Sequence, residues 1–133
     1  MSGIQDISVG KFFFEDGLPG FPEMQFFQIS KEDANVPFFQ MQSTEDESIG
    51  FWLADPFVFV PDYQFDLPDY AKAALRLDEE EISVAVFNII TLREKGQVTI
   101  NLKAPIVINR NNRMAKQVIL NEEKYSLRHP LFT

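Results

Sequence analysis

The sequence predicts a mainly β protein with one short helix, arranged as a barrel or a sandwich, and three features carry that prediction. Period-two alternation is clearest in QVTINLKAPIVI at 97–108, where Val98, Ile100, Leu102, Ala104, Ile106 and Ile108 are all apolar. A run of this kind places one strand face on a core and the other near water. About eight or nine strand-like segments are separated by short turns, and only 69–76 (DYAKAALR) has helical composition. With 133 residues and no internal repeat or linker, the chain 1–133 is expected to be a single domain.

Taken in order, strands are expected over 4–14, 24–30, 37–43, 49–54 and 57–65. GLPGFPE at 17–23 holds two glycines and two prolines, so it reads as a turn. Gly17, Pro19 and Gly20 would set its backbone, and Phe21 would plug one end of the fold. Asp55–Pro56 would end the strand that contains Trp52, the carboxylate accepting turn N–H groups. In the helical segment, Asp69 could cap the N-terminus, and Tyr70, Ala73, Ala74 and Leu77 fall on one stripe. In ISVAVFNIITL at 82–92 the apolar parity changes near Val86–Phe87, so either a bulge re-aims the strand or both of its faces are covered. EKGQ at 94–97 would turn the chain into the 97–108 strand. Pro105 cannot donate to a ladder, so that strand is an edge or carries a bulge there. NRNN at 109–112 then turns the chain into a third strand, RMAKQVIL at 113–120, giving an antiparallel meander.

Fifteen of the eighteen aromatic residues lie between Phe12 and Tyr70. Adjacent aromatics such as FFF at 12–14 and FF at 26–27 and 38–39 must point to opposite faces of a strand. One of each pair therefore faces outward or lies beneath a second layer, which leaves room for an exposed apolar patch of the kind that marks protein-binding sites.

Charge narrows the function classes. The formal net charge is −8, against direct binding to nucleic acid or to an anionic membrane surface. Residues 1–81 hold 17 Asp/Glu against 4 Lys/Arg, whereas 82–133 hold 3 against 8. EDE at 45–47 and DEEE at 78–81 could build an acidic face that steers a basic partner. There is no cysteine and one histidine, which excludes thiolate sites, iron–sulfur clusters and an imidazole metal cage within one chain. The longest apolar runs, such as FVFV at 57–60, fall far short of the ~20 residues that cross a bilayer. MSGIQDIS has neither the basic nor the apolar region of a signal peptide, so a cytoplasmic protein is expected.

Catalytic equipment is sparse. His129 and Ser126 lack a G-x-S-x-G elbow, and no phosphate-cradling glycine loop occurs. Asp55, Asp62 and Asp66 support one alternative: a small acidic barrel that binds a ligand or hydrolyses one with paired carboxylates. The alternation places Asp62, Gln64 and Asp66 toward solvent and Tyr63, Phe65 and Leu67 toward the core.

The ordered blocks GLPGF (17–21), MQS-x-ED-x-x-x-GFWLADPF (41–57), PDYQFDL (61–67), TINLKAPIVIN (99–109), KQVIL (116–120) and Y-x-x-RHPL (125–131) resemble the FliW family of bacterial flagellar assembly factors. The resemblance runs along nearly the whole chain. It implies a small, partly open antiparallel β-barrel with one helix near 69–76. It further implies a cytoplasmic, monomeric protein without cofactor or enzymatic activity. The partners it implies are flagellin and, when flagellin is absent, the translational regulator CsrA, which would be antagonised. Among residues for partner contact, Glu45, Asp46 and Glu47 come from the acidic run and Asp55 from the end of the Trp52 strand. Asn101 and Asn109, on the outward parity of the longest strand, could bond to backbone across a turn or to a partner. Pro19, Gly20, Phe21, Pro56 and Pro105 are expected to be structural.

Overall fold

The computed structural model describes residues 10–31, 33, 35–77 and 83–131. Among these residues nine strands form one sheet: β1 (Gly10–Phe14), β2 (Phe26–Ser30), β3 (Phe38–Ser43), β4 (Gly50–Ala54), β5 (Val84–Leu92), β6 (Val98–Ile100), β7 (Ile106–Asn109), β8 (Met114–Gln117) and β9 (His129–Pro130). Two short helices, α1 (Pro56–Phe59) and α2 (Asp69–Ala74), lie between β4 and β5.

Seven of the strands close on themselves in the order β1-β2-β3-β4-β5-β7-β8, so the barrel is closed where a partly open one was expected. The closing seam explains the difference. β1 meets β8 in parallel, with Phe13 beside Met114 and Phe14 beside Ala115, whereas every other pairing is antiparallel. A seam between strands a hundred residues apart leaves no local signature in the sequence. The long β5 makes the rest possible. Its first half pairs with β7, its second half with β6, and Trp52–Ala54 of β4 pair with Asn88–Ile90 on the opposite edge. β6 carries the two-residue β9 as a short outer flap.

Parity sorts the side chains into two cores. Inward residues of the ring (Phe12, Phe14, Phe27, Ile29, Phe39, Met41, Leu53, Phe87, Ile106 and Ile108) fill the barrel together with Leu18. The outer face of β5–β7 is covered by a second cluster, in which Tyr63, Ala71, Leu75, Val118, Leu120 and Tyr125 pack onto Ile100, Leu102 and Val107. In the middle of β5, from Ala85 to Ile89, both faces are therefore covered, and no bulge is needed to account for its apolar residues, while its ends at Val84 and Leu92 are exposed. Ala85 and Phe87 face the barrel, while Val86 and Ile90 face the second cluster.

The 97–108 segment is not one strand. Asn101 Oδ1 accepts the N–H groups of Lys103 (3.1 Å) and Ala104 (3.0 Å), and this Asx turn breaks the ladder between β6 and β7. The freed backbone pairs with the C-terminal segment: Leu120 N–H donates to Lys103 O, Val118 N–H to Pro105 O and Leu102 N–H to Ser126 O. Alternation survives the break because the even residues stay buried, but they change cores. Ile100 and Leu102 enter the outer cluster, whereas Ile106 and Ile108 enter the barrel. Pro105 sits in the break and is buried, because the second layer covers the parity that was expected to face water.

The expected strand at 57–65 is instead α1 followed by irregular chain. Asp55 caps the helix, its Oδ1 accepting the Phe57 N–H at 3.0 Å, and Pro56 occupies the first turn, where its missing N–H costs nothing. In α2 the N-cap is Pro68, not Asp69, and Ala71 is the buried helical residue, with Leu75 and Leu77 buried just beyond the helix. Tyr70, expected on the buried stripe, is exposed. The positions i and i+4 from Ala71 to Leu75 set the face, and the weak Ala pattern had suggested the neighbouring stripe.

Candidate partner-docking surface

The second layer covers only part of the barrel. Among the described residues no element packs over Phe13, Phe26, Gln28, Gln40, Gln42, Gly50 and Trp52, the neutral outward residues of β1–β4; Lys11 is exposed beside Phe26, and Phe38 alone on this side lies under α1. Phe13 and Phe26 stand opposite one another on β1 and β2 with ring centroids 5.1 Å apart, and the inward partners Phe14 and Phe27 form the matching pair inside. Each aromatic doublet thus sends one ring in and one ring out. In the 38–39 doublet the outer ring, Phe38, stacks on Phe59 of α1.

Trp52 and Leu92 are the prominent apolar side chains at the border of this bare face, 52% and 74% exposed. They line a cleft of about 450 Å³ with Gln40, Gln42, Glu47, Ile90 and neighbouring residues. Leu92 also borders a second cleft of about 740 Å³ lined by Arg93, Glu94, Val98 and Arg128. A third, of about 300 Å³, lies between the Gly17–Gly20 turn, the end of α2 and β8, where Asp16 and Lys116 form an ion pair at 2.7 Å. Trp52 alternates with the barrel residue Leu53, so its outward direction was readable from parity; its lack of cover was not.

The acidic run at 45–47 forms the β3–β4 hairpin. Ser43 Oγ accepts the N–H groups of Glu45 (3.0 Å) and Asp46 (3.1 Å). Glu45 Oε1 reaches across to the backbone N–H groups of Gln25 (2.8 Å) and Phe26 (3.0 Å), tying the hairpin to the start of β2. Asp46 Oδ1 accepts both the N–H and the hydroxyl of Ser48, which holds its carboxyl below the ordinary carboxylate value. Glu47 is exposed and lines the Trp52 cleft. The other acidic run, 78–81, lies outside the described residues.

Asp55 is half-buried, and burial pushes its carboxyl above the ordinary value, offset by the Phe57 N–H and by Lys31. Asn101 and Asn109 serve the fold. Asn101 makes the Asx turn described above. Asn109 is 4% exposed, donating through Nδ2 to Leu75 O at 2.8 Å and accepting the Asn111 N–H at 2.9 Å. Gly17 and Gly20 have positive φ (64° and 87°), with the exposed Pro19 between them. Leu18, not Phe21, is the residue of this turn that enters the barrel, while Phe21 lies half-buried with its ring edge-on to Phe51. Asp62 and Asp66 are exposed, and no group of three or more His, Asp or Glu side chains converges among the described residues. His129 is half-buried on β9, opposite Ile100.

One polar network went unnoticed in the sequence. Tyr63 donates to Leu102 O at 2.7 Å and accepts from Asn88 Nδ2 at 3.3 Å, and the same amide donates to Asn101 O at 2.7 Å. Burial pushes the Tyr63 hydroxyl up to about 12. An Asn among β-branched residues, facing the outer side of β5, was the available signal.

This closed barrel with its half-covered outer face matches a crystal structure of the flagellar assembly factor FliW with a TM-score of 0.84, at 36% identity, over 99% of this chain and 91% of the other. The FliW protein family model matches residues 3–131. The chain belongs to the FliW family. Among the relatives, flagellar assembly factor FliW of Caldicellulosiruptor saccharolyticus is 46% identical over 90% of this chain and 78% of its own length. FliW of Bacillus subtilis is 40% identical over 89% of this chain and 82% of its own length. Members of this family act with a protein partner in flagellar assembly, which makes the face of the barrel that no described element covers the region of interest. No helix among the described residues is long and apolar enough to cross a membrane.

Proposed function

We propose that this protein is a non-catalytic partner switch in flagellar assembly. Flagellin occupies it while subunits accumulate. After their export the freed, monomeric protein binds the translational regulator CsrA in the cytoplasm and relieves repression of flagellin synthesis. Membership of the FliW family carries this reading. The net charge of −8 supports it, since a regulator that grips RNA presents cationic side chains, and an acidic protein beside them attracts the regulator and repels phosphate. The same charge argues against direct contact with nucleic acid or anionic lipid.

Titration calorimetry of the purified chain against flagellin and against CsrA, each alone and then with the other present, tests the switch. Two binary complexes are expected, with flagellin displacing CsrA and with RNA released from CsrA on addition of the free protein. Binding to neither protein, or RNA release unaffected by flagellin, overturns the reading.

A further inference from the structure

β4 and β5 separate before their shared register is used up. Their ladder runs from Ala54–Asn88 to Trp52–Ile90; the same register would next bring Gly50 to Leu92, but no hydrogen bond joins these two. Across β3–β4, Ser43 N–H donates to Ile49 O and Asp55 N–H to Pro37 O. The odd-numbered residues of β4 therefore bond toward β3, and Gly50, Trp52 and Ala54 turn their peptide groups toward β5. Across β5–β6, Asn101 N–H donates to Ile89 O and Arg93 N–H to Gln97 O, so Asn88, Ile90 and Leu92 turn theirs toward β4. Gly50 and Leu92 thus face one another across a fork, with N–H and C=O groups that the sheet leaves unpaired. The cleft of about 450 Å³ opens here, lined by residues 50–52 on one side and 89–92 on the other.

Unpaired peptide groups dictate the form of an occupant. A helix bonds its own backbone and would cover Gly50 and Leu92 without satisfying them, whereas an extended segment bonds to both. Successive residues of a strand slid into the fork turn their peptide groups alternately toward Gly50 and toward Leu92. Its side chains alternate as well. One set lies outward beside the exposed Trp52 and Leu92, and the other faces Phe51 and Ile89, which are packed on the barrel core. Charge selects the source. Glu47 is the one ionisable side chain among the described residues that line the cleft, so a lysine or arginine suits the occupant. A second copy of this chain, at net charge −8, is repelled as a whole, and a cationic partner is attracted.

We infer that the fork between β4 and β5 takes an extended segment of a protein partner, apolar with basic residues, as an inserted strand. Its peptide groups bond to Gly50 on one side and to Leu92 on the other. The inference rests on the reading that this chain works by holding other proteins, and it adds a place where the sheet itself accepts one.

The probe is a synthetic capped peptide of about eight residues that alternates valine with threonine and carries a lysine at each end. Trp52 is the single tryptophan, so its emission follows binding, and saturable binding with a blue shift is expected. In amide hydrogen exchange read by NMR, the Gly50 and Leu92 N–H groups should gain at least about tenfold protection when the peptide is bound. N-methylation of alternate peptide residues, on either set, should weaken binding at least about tenfold, because an inserted strand donates to both sides. Leu92→Pro deletes a donor that serves no ladder bond, and should weaken binding more than Leu92→Ala, which keeps it. The thermal midpoint checks that the proline variant folds, and the methylated peptides give the same answer on the unaltered protein. No binding, unprotected amides, or equal affinity for methylated and parent peptides overturns the fork. Sensitivity to one methylated set alone means pairing with a single edge and overturns insertion. Concentration-dependent dimerisation that Leu92→Pro abolishes makes the occupant a second copy and also overturns the inference. Flagellin and CsrA are titrated in parallel. A chain that holds either protein but not the peptide loses the fork and keeps the switch, whereas one that takes the peptide between both edges and holds neither protein keeps the fork and loses the switch.

Discussion

Gly17 and Gly20 both have positive φ, yet they tolerate a methyl group differently. A Cβ on Gly17 would stand 2.7 Å from Pro22 Cα, against backbone, whereas a Cβ on Gly20 meets nothing within 4 Å. Gly20→Ala should therefore cost about 1 kcal/mol, the left-handed backbone penalty alone. Gly17→Ala should cost at least about 2 kcal/mol, because the turn must also shift. Urea unfolding midpoints of the two variants check the ranking. Tyr63→Phe removes one hydroxyl from a buried network and should cost about 1–3 kcal/mol by leaving Leu102 O without its donor. Tyr63 also makes stability alkali-sensitive. Its hydroxyl ionises at 10.0 when unperturbed and at about 12 in the fold, so the phenolate favours the unfolded chain. The stabilisation is complete below pH 10 and is lost as pH rises toward 12. A phenolate absorbance titration should contain a component near 12 that disappears in Tyr63→Phe. At this scale the sequence was a partial guide. The strain at Gly17 is implied by its neighbours, but the Tyr63–Asn88 contact joins positions 25 residues apart, which no local pattern records.

Among the elements, α1 and the β6–β7 break both depend on a side chain that accepts backbone N–H groups. Asp55→Ala removes the α1 cap and should cost about 1 kcal/mol. Asp55→Asn keeps a capping oxygen and relieves a half-buried carboxylate, so its cost should be close to zero in the same denaturation assay. Asn101→Ala should cost about 1–2 kcal/mol, because two N–H groups lose their acceptor where the chain must leave the ladder. Strands were legible wherever one face met the barrel and the other met water, as in Phe26–Ser30. Legibility failed where a second layer covered the outer face: Tyr63, Phe65 and Leu67 alternate as strand residues do, yet here they line irregular chain over a second core. Alternation reports burial on one side. It does not report which core does the burying, and so it reads straight through the turn at Asn101.

For the whole molecule, a net charge of −8 makes association with a cationic partner sensitive to salt. Stopped-flow rates with CsrA should fall steeply as ionic strength rises and the screening length shortens to about 8 Å near 0.15 M. Within the 45–47 run, Glu47→Gln should slow association without touching stability. Glu45→Ala should lower stability as well, since its carboxylate holds the start of β2. Family and fold class were legible in the ordered blocks along the chain. Closure of the barrel and the bare Trp52 face were not, because both depend on which segments meet after folding. The parallel seam between β1 and β8 also bears on how the protein is made. Phe13 waits for Met114, so a ribosome must extrude the hundred residues between them before the ring can shut. Until then the growing chain exposes two raw sheet borders, which are templates for pairing with a neighbouring nascent copy. Release fragments ending ahead of residue 114 should accordingly clump, whereas those reaching residue 131 should stay dispersed, a contrast that sedimentation of stalled products would reveal.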